Sequence, residues 1–113
     1  MKIIVNRFIP FKGFSAINLF GVLFVRKRTW VSQWLLNHEK IHTAQMKEML
    51  YIGFYLWYVI EWIIRLFLPG NAYKNISFER EAYRNELDLR YLEQRRHFNW
   101  FYYITHNPWK GDE

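Results

Sequence analysis

The 113-residue chain contains no cysteine. That excludes a disulfide framework and any thiolate zinc site, so a metal held here takes its ligands from His, Asp and Glu. There is no internal repeat, low-complexity tract or linker, and the length suits a single domain, 1–113, with a modest core. No secretory signal is expected, because the start Met1-Lys2-Ile3-Ile4-Val5-Asn6-Arg7 is broken by charge before an apolar region develops. The expectation is a cytoplasmic protein, with association to a membrane as an added possibility. Long runs of positive charge are absent too. The tightest basic clusters are Arg26-Lys27-Arg28 and Arg95-Arg96, too short for a nucleic-acid track, so nucleic acid is disfavoured as a partner.

Aromatic residues, by contrast, are plentiful: six Trp, eight Tyr and ten Phe, with a formal net charge of +6. Such a surface is suited to something anionic and partly apolar, so a membrane surface or an apolar partner is expected. Residues 2 to 9 and 17 to 25 read as two strands of a hairpin or small sheet, with turn chemistry between them at Pro10 to Ser15 and a bulge or close approach at Gly21. A helix is expected from Thr29 or Ser32, either of which could cap it. Met49 to Leu68 is apolar nearly all round and of membrane-spanning length, interrupted by Glu61 and Arg65 at ion-pair spacing. A last helix is predicted from Ser77 to Arg95, with an apolar stripe at Phe78, Ala82, Leu89 and Leu92, before an aromatic tail, 97–113.

One motif names a chemistry: His38-Glu39-Lys40-Ile41-His42, an HExxH. Residues four apart share a helix face, so both imidazoles reach one metal ion, and Glu39 points toward the open position, where it can act as general base on water. Gln45 continues the same stripe, where it could hydrogen-bond a ligand or the substrate. The bland alternative is a pair of surface histidines.

A third ligand must come from Glu61, Glu79, Glu81 or a tail histidine, His97 or His106. Were one helix to run unbroken from Ser32 to Leu68, it would end roughly 39 Å beyond His42. Glu79 could then return only on a fully stretched chain, and residues near His97 would face His42 instead. A break near Gly53 lets Glu79 reach the histidines. Such a break is the expected form, and a simple spanning helix is incompatible with the zinc site. A tail histidine could also fill the open metal position and hold the protein inactive.

The segments His38-Glu39-Lys40-Ile41-His42-Thr43-Ala44-Gln45 and Phe78-Glu79-Arg80-Glu81-Ala82-Tyr83 resemble those of the gluzincin metallopeptidases, among them the HtpX-like clan and minimal gluzincins of about this length. The resemblance implies that the first Glu of an E-x-x-A-D pattern is the third ligand, which falls on Glu79. Tyr83 stands where that pattern has Asp, which departs from the usual carboxylate support of a histidine. Glu86 lies on the face of Glu79, and Glu81 points elsewhere. Glu61, spaced from His42 as in another branch of the clan, and Glu81 are the alternative ligands. The resemblance also implies that the upstream hairpin holds an extended peptide by strand addition.

The expected protein is thus α+β: an N-terminal β-hairpin followed by about three helices, a minimal zincin-like domain. Zn2+ would be held by His38, His42 and Glu79, with Glu39 catalytic and Gln45, Tyr83 and Glu86 around them. The expected function is a zinc metallopeptidase acting on a peptide or protein substrate. The alternative is a non-catalytic, membrane-associated or interaction protein that keeps the fold.

Overall fold

The computed structural model describes residues 1–9 and 16–110. It is α+β, with a three-stranded sheet at the N-terminus followed by helices. The strands are β1 (Lys2–Val5), β2 (Ala16–Leu19) and β3 (Val22–Val25), and the α-helices are α1 (Gln33–Glu48), α2 (Ile52–Leu66), α3 (Ser77–Asn85) and α4 (Tyr91–Gln94). Single 3-10 segments follow β3 (Arg28–Trp30) and α4 (Asn99–Ile104), and another lies at Pro108–Lys110.

The expected single strand 17–25 is itself a hairpin. β2 and β3 pair antiparallel, with Leu19 opposite Val22, and the chain reverses at Phe20 and Gly21, both with positive φ (52° and 89°). The turn lacks the Asn-Gly signature of such reversals. It is held by tertiary groups instead: the Gly21 N–H donates to Asn18 Oδ1 at 3.0 Å, and the Phe20 N–H donates to Tyr55 Oη at 2.9 Å. A Cβ on Gly21 would stand 3.3 Å from Thr43 Cγ2, so the turn also needs glycine for its approach to α1. β1 pairs parallel to β3, giving the order β1-β3-β2 and leaving β2 at an edge. The Pro10–Ser15 turn lies outside the described residues.

Ser32 caps α1, its hydroxyl accepting from the Leu35 N–H at 3.1 Å. The helix stops at Glu48 and the next starts at Ile52, the two meeting at 108°. The expected break is therefore present, but at Leu50 and Tyr51 (φ 54° and 60°) rather than at Gly53, which lies inside α2. The fold-back brings α3 against α1. Phe54, Ile76, Phe78 and Trp100 form the core with Met46, and Phe54 stacks on Phe78 at 4.5 Å between centroids. The predicted last helix is not continuous to Arg95: α3 ends at Asn85, because Asn37 Nδ2 of α1 donates to the carbonyls of Asn85, Glu86 and Asp88 and draws the chain out of helical form. Leu89, placed on the apolar stripe from the sequence, is accordingly exposed.

Candidate metal centre

α1 presents His38 and His42 one turn apart on its buried face, and α3 crosses it with Glu79 at its first turn. The three side chains are almost fully buried and converge on one point. His38 Nε2 lies 3.1 Å from His42 Nε2 and 3.1 Å from Glu79 Oε1, and His42 Nε2 lies 3.0 Å from that same oxygen. Among the described residues this is the one group of three or more His, Asp or Glu placed to hold a metal ion.

The far side of each imidazole fixes its tautomer. Both amide hydrogens of Gln45 are committed, to Phe78 O at 3.0 Å and Glu81 Oε1 at 2.9 Å, so Gln45 Oε1 must accept from His42 Nδ1–H at 2.8 Å. His38 Nδ1–H donates to Glu86 Oε1 at 3.1 Å. Each histidine therefore turns Nε2 and its lone pair toward the Glu79 carboxylate. Three acceptor atoms this close need a cation among them. In the protein alone, protons serve. Burial by itself would lower the His42 pKa, but the Glu79 carboxylate, with Glu39, outweighs it and raises it to about 9. Burial would raise Glu79, yet His42 and His38 hold its carboxyl well below the usual range. Ligand atoms about 2.1 Å from a tetrahedral zinc stand roughly 3.4 Å apart, so separations of 3.0–3.1 Å open to that geometry by a few tenths of an ångström. The donor set fits the metal.

Glu39 lines a cleft of about 800 Å³ together with His42 and Glu79, and burial pushes its carboxyl pKa up against the opposing pull of His42 and His38. One wall is the edge strand β2, and the floor is Phe54 with Tyr55 and Tyr58 of α2. Asn18 ties β2 to α1, its Nδ2 donating to Glu39 O at 3.0 Å and Thr43 Oγ1 at 3.1 Å. The spacing between strand and motif is therefore fixed.

Each candidate from the sequence has a place. Gln45 and Glu86 both orient a histidine. Glu86, three residues beyond Tyr83, is the carboxylate that His38 Nδ1 meets at 3.1 Å. Tyr83 touches His38 through its ring, with centroids 4.6 Å apart, and its hydroxyl pairs with Tyr73 Oη at 3.1 Å. Glu61, an alternative ligand, is not in the cluster: its carboxylate accepts from Ser77 N–H and Ser77 Oγ, each at 2.6 Å, and so caps α3 from α2. Ser77 is thus a donor to the cap rather than the cap itself. Glu81, the other alternative, is fully buried and accepts from Gln45, Tyr91 and Arg95. Neither tail histidine reaches the cluster: His97 is exposed beside Glu48, and His106 stacks on Tyr102 at 3.8 Å.

Three contributors were missed. Tyr58 Oη donates to Glu79 Oε2 at 2.7 Å, fixing the second oxygen of the candidate ligand. Arg95 bridges Glu48 and Glu81, at 2.9 Å and 2.6 Å, and through Glu81 and Gln45 is linked to His42. Asn37 holds the loop that carries Glu86. Only Asn37 carried a hint, one residue before the motif. Comparison with protein-family models, curated proteins and solved structures finds no match.

Proposed function

We propose that this protein is a zinc-dependent metallopeptidase that hydrolyses peptide bonds in an extended chain laid beside β2. The observation that carries the reading is the convergence of His38 Nε2, His42 Nε2 and Glu79 Oε1 on one point, with each imidazole oriented from behind and Glu39 in the adjoining cleft. Bound zinc would polarise a peptide carbonyl and acidify a water. His38, His42 and Glu79 would hold it. Glu39, its proton affinity raised by burial, accepts a proton from the attacking water and returns it to the leaving amine nitrogen as the C–N bond breaks. The open edge of β2 offers backbone groups to the substrate, and the apolar walls take its side chains. Tyr73 also lines the cleft, and its phenol, kept neutral by burial and the nearby Glu79 carboxylate, is the donor at hand for the developing oxyanion.

The test is zinc per chain by elemental analysis, alongside hydrolysis of a casein substrate. One zinc is expected in the wild type and in Glu61→Ala, and none in His42→Ala or Glu79→Ala. Glu39→Gln should keep its zinc and lose roughly 100-fold or more in rate. A wild type that takes up no zinc after reconstitution would sink the proposal. Zinc without hydrolysis would favour the second reading, a non-catalytic membrane-associated protein, which the exposed apolar side of α2 supports.

A further inference from the structure

We infer that the outer face of α2 is a docking surface for an anionic lipid bilayer, on which the helix lies flat. At about 100° per residue, Ile52, Leu56, Val59, Ile60, Ile63 and Phe67 cover one side of the helix, opposite Phe54, Tyr58, Glu61 and Arg65. These six are 47–85% exposed. Between residues 52 and 68 the charged side chains are Glu61 and Arg65, and both turn inward. Glu61 caps α3, and Arg65 donates to Ile104 O at 2.9 Å and stands 3.6 Å from Glu61. The outer side of the helix is left without charge, the reverse of the arrangement water favours. At 15 residues α2 is about 22 Å long, short of the roughly 30 Å hydrocarbon core, and no single helix among the described residues is long and apolar enough to cross a membrane.

Charge selects the occupant. Tyr55, beside this face on the helix, also lines the cleft, and two further cleft residues have a cation next to them. The Arg7 guanidinium lies 5.3 Å from the ring centre of Phe8, a 73% exposed residue that lines the cleft. Lys74 follows the cleft residue Tyr73, its ammonium held over Trp109 at 5.5 Å and Tyr83 at 5.9 Å. An uncharged apolar face on a chain of net charge +6, with cations beside residues of the adjoining cleft, complements anionic headgroups above acyl chains. A second copy of the chain would bring like charge to like charge. The aliphatic composition also differs from the aromatic, Met and Arg enrichment of protein interfaces. Docked this way, the cleft mouth sits at headgroup level, within reach of peptides at the membrane surface. That last step rests on the peptidase reading; the docking does not.

Sedimentation of the full chain with phosphatidylcholine vesicles, with and without phosphatidylserine, tests the docking with no catalytic readout. The wild type should bind the phosphatidylserine vesicles, and less so as salt is added. The pair Leu56→Gln/Ile60→Gln should weaken binding roughly tenfold or more. Arg7→Glu/Lys74→Glu should weaken it by a similar factor on anionic vesicles and leave phosphatidylcholine partitioning unchanged. Far-ultraviolet circular dichroism reports the fold of each variant independently of zinc. Absence of binding by a folded wild type, or equal binding by both folded variants, overturns the docking. So does a lipid-free dimer that Leu56→Gln/Ile60→Gln dissociates, since it assigns the face to a second copy.

Discussion

α3 and α2 invert the usual rule in opposite directions. α3 buries Ser77, Phe78, Glu79, Arg80, Glu81 and Ala82 in succession, four of the six polar or charged. α2 is the most apolar helix of the chain, yet it buries only Phe54 and the carboxylate Glu61. Burial in this protein follows partnership more than hydropathy. Each buried polar residue of α3 has its complement waiting: Ser77 meets Glu61, Glu79 meets the histidines and Tyr58, Arg80 Nη1 donates to Tyr103 O at 2.9 Å, and Glu81 meets Gln45, Tyr91 and Arg95. The exposed residues of α2 have no such complement among the described residues. The difference teaches that α3 is held in place by pairing and α2 by its inner aromatic seam, and each half of that statement can be broken separately.

The largest effect is expected from Arg95→Met. Arg95 binds Glu48 through two nitrogens at 2.9 Å and Glu81 at 2.6 Å, so its loss strands a fully buried carboxylate. Removing one partner of such a pair costs about 3–5 kcal/mol, to be read from the urea unfolding midpoint. Replacing Glu81 by Leu in the same chain should recover part of that loss, since of the two carboxylates only Glu48, which keeps the Phe98 N–H, is then left without its guanidinium. Because Glu81 also orients Gln45 behind His42, the Arg95 variant should bind zinc roughly tenfold or more weakly in chelator competition. A stability change below about 1 kcal/mol would mean that pairing does not hold α3.

Glu61→Ala is expected to act more mildly, at about 2 kcal/mol, by leaving the first N–H of α3 and the Ser77 hydroxyl without their acceptor. Zinc content should not change. This separates the two sides of α2: its inward carboxylate serves α3, whatever covers its outer face. Zinc lost with Glu61 while the fold persists would reopen Glu61 as a ligand.

The legible parts of the site are those whose partners lie within one helix turn. His38, Glu39, His42 and Gln45 could be read because helical periodicity alone puts them on a face. The fold class followed from strand-like runs and helical spacing. Glu79 needed a resemblance, since spacing left a continuous and a broken helix both open. The break expected near Gly53 falls two to three residues earlier, at Leu50 and Tyr51, where the Tyr51 N–H donates to Met46 O at 2.7 Å. The hairpin at Phe20 and Gly21 was hidden, its reversal being stabilised by Tyr55, 35 residues away. Tyr58, Glu48 and Arg95 act only across elements, and Arg95 spans 47 residues to Glu48, so no local pattern marks them.

The smallest effect on stability should come from Leu56→Gln/Ile60→Gln, and it sharpens the comparison most. In an ordinary core helix, two such replacements would strand polar amides among side chains and cost several kcal/mol. Leu56 and Ile60 are 62% and 47% exposed, so little apolar contact is lost inside the chain. Gln also has a helix propensity near that of Leu and above that of Ile. The urea midpoint of the lipid-free monomer should therefore correspond to a change within about 0.5 kcal/mol per residue. A loss of several kcal/mol would show that this face is already covered in solution, and the account of α2 as unpartnered would fall. An unchanged midpoint with weaker vesicle binding would mean that the residues contribute little to the fold of this chain and much to what it docks against.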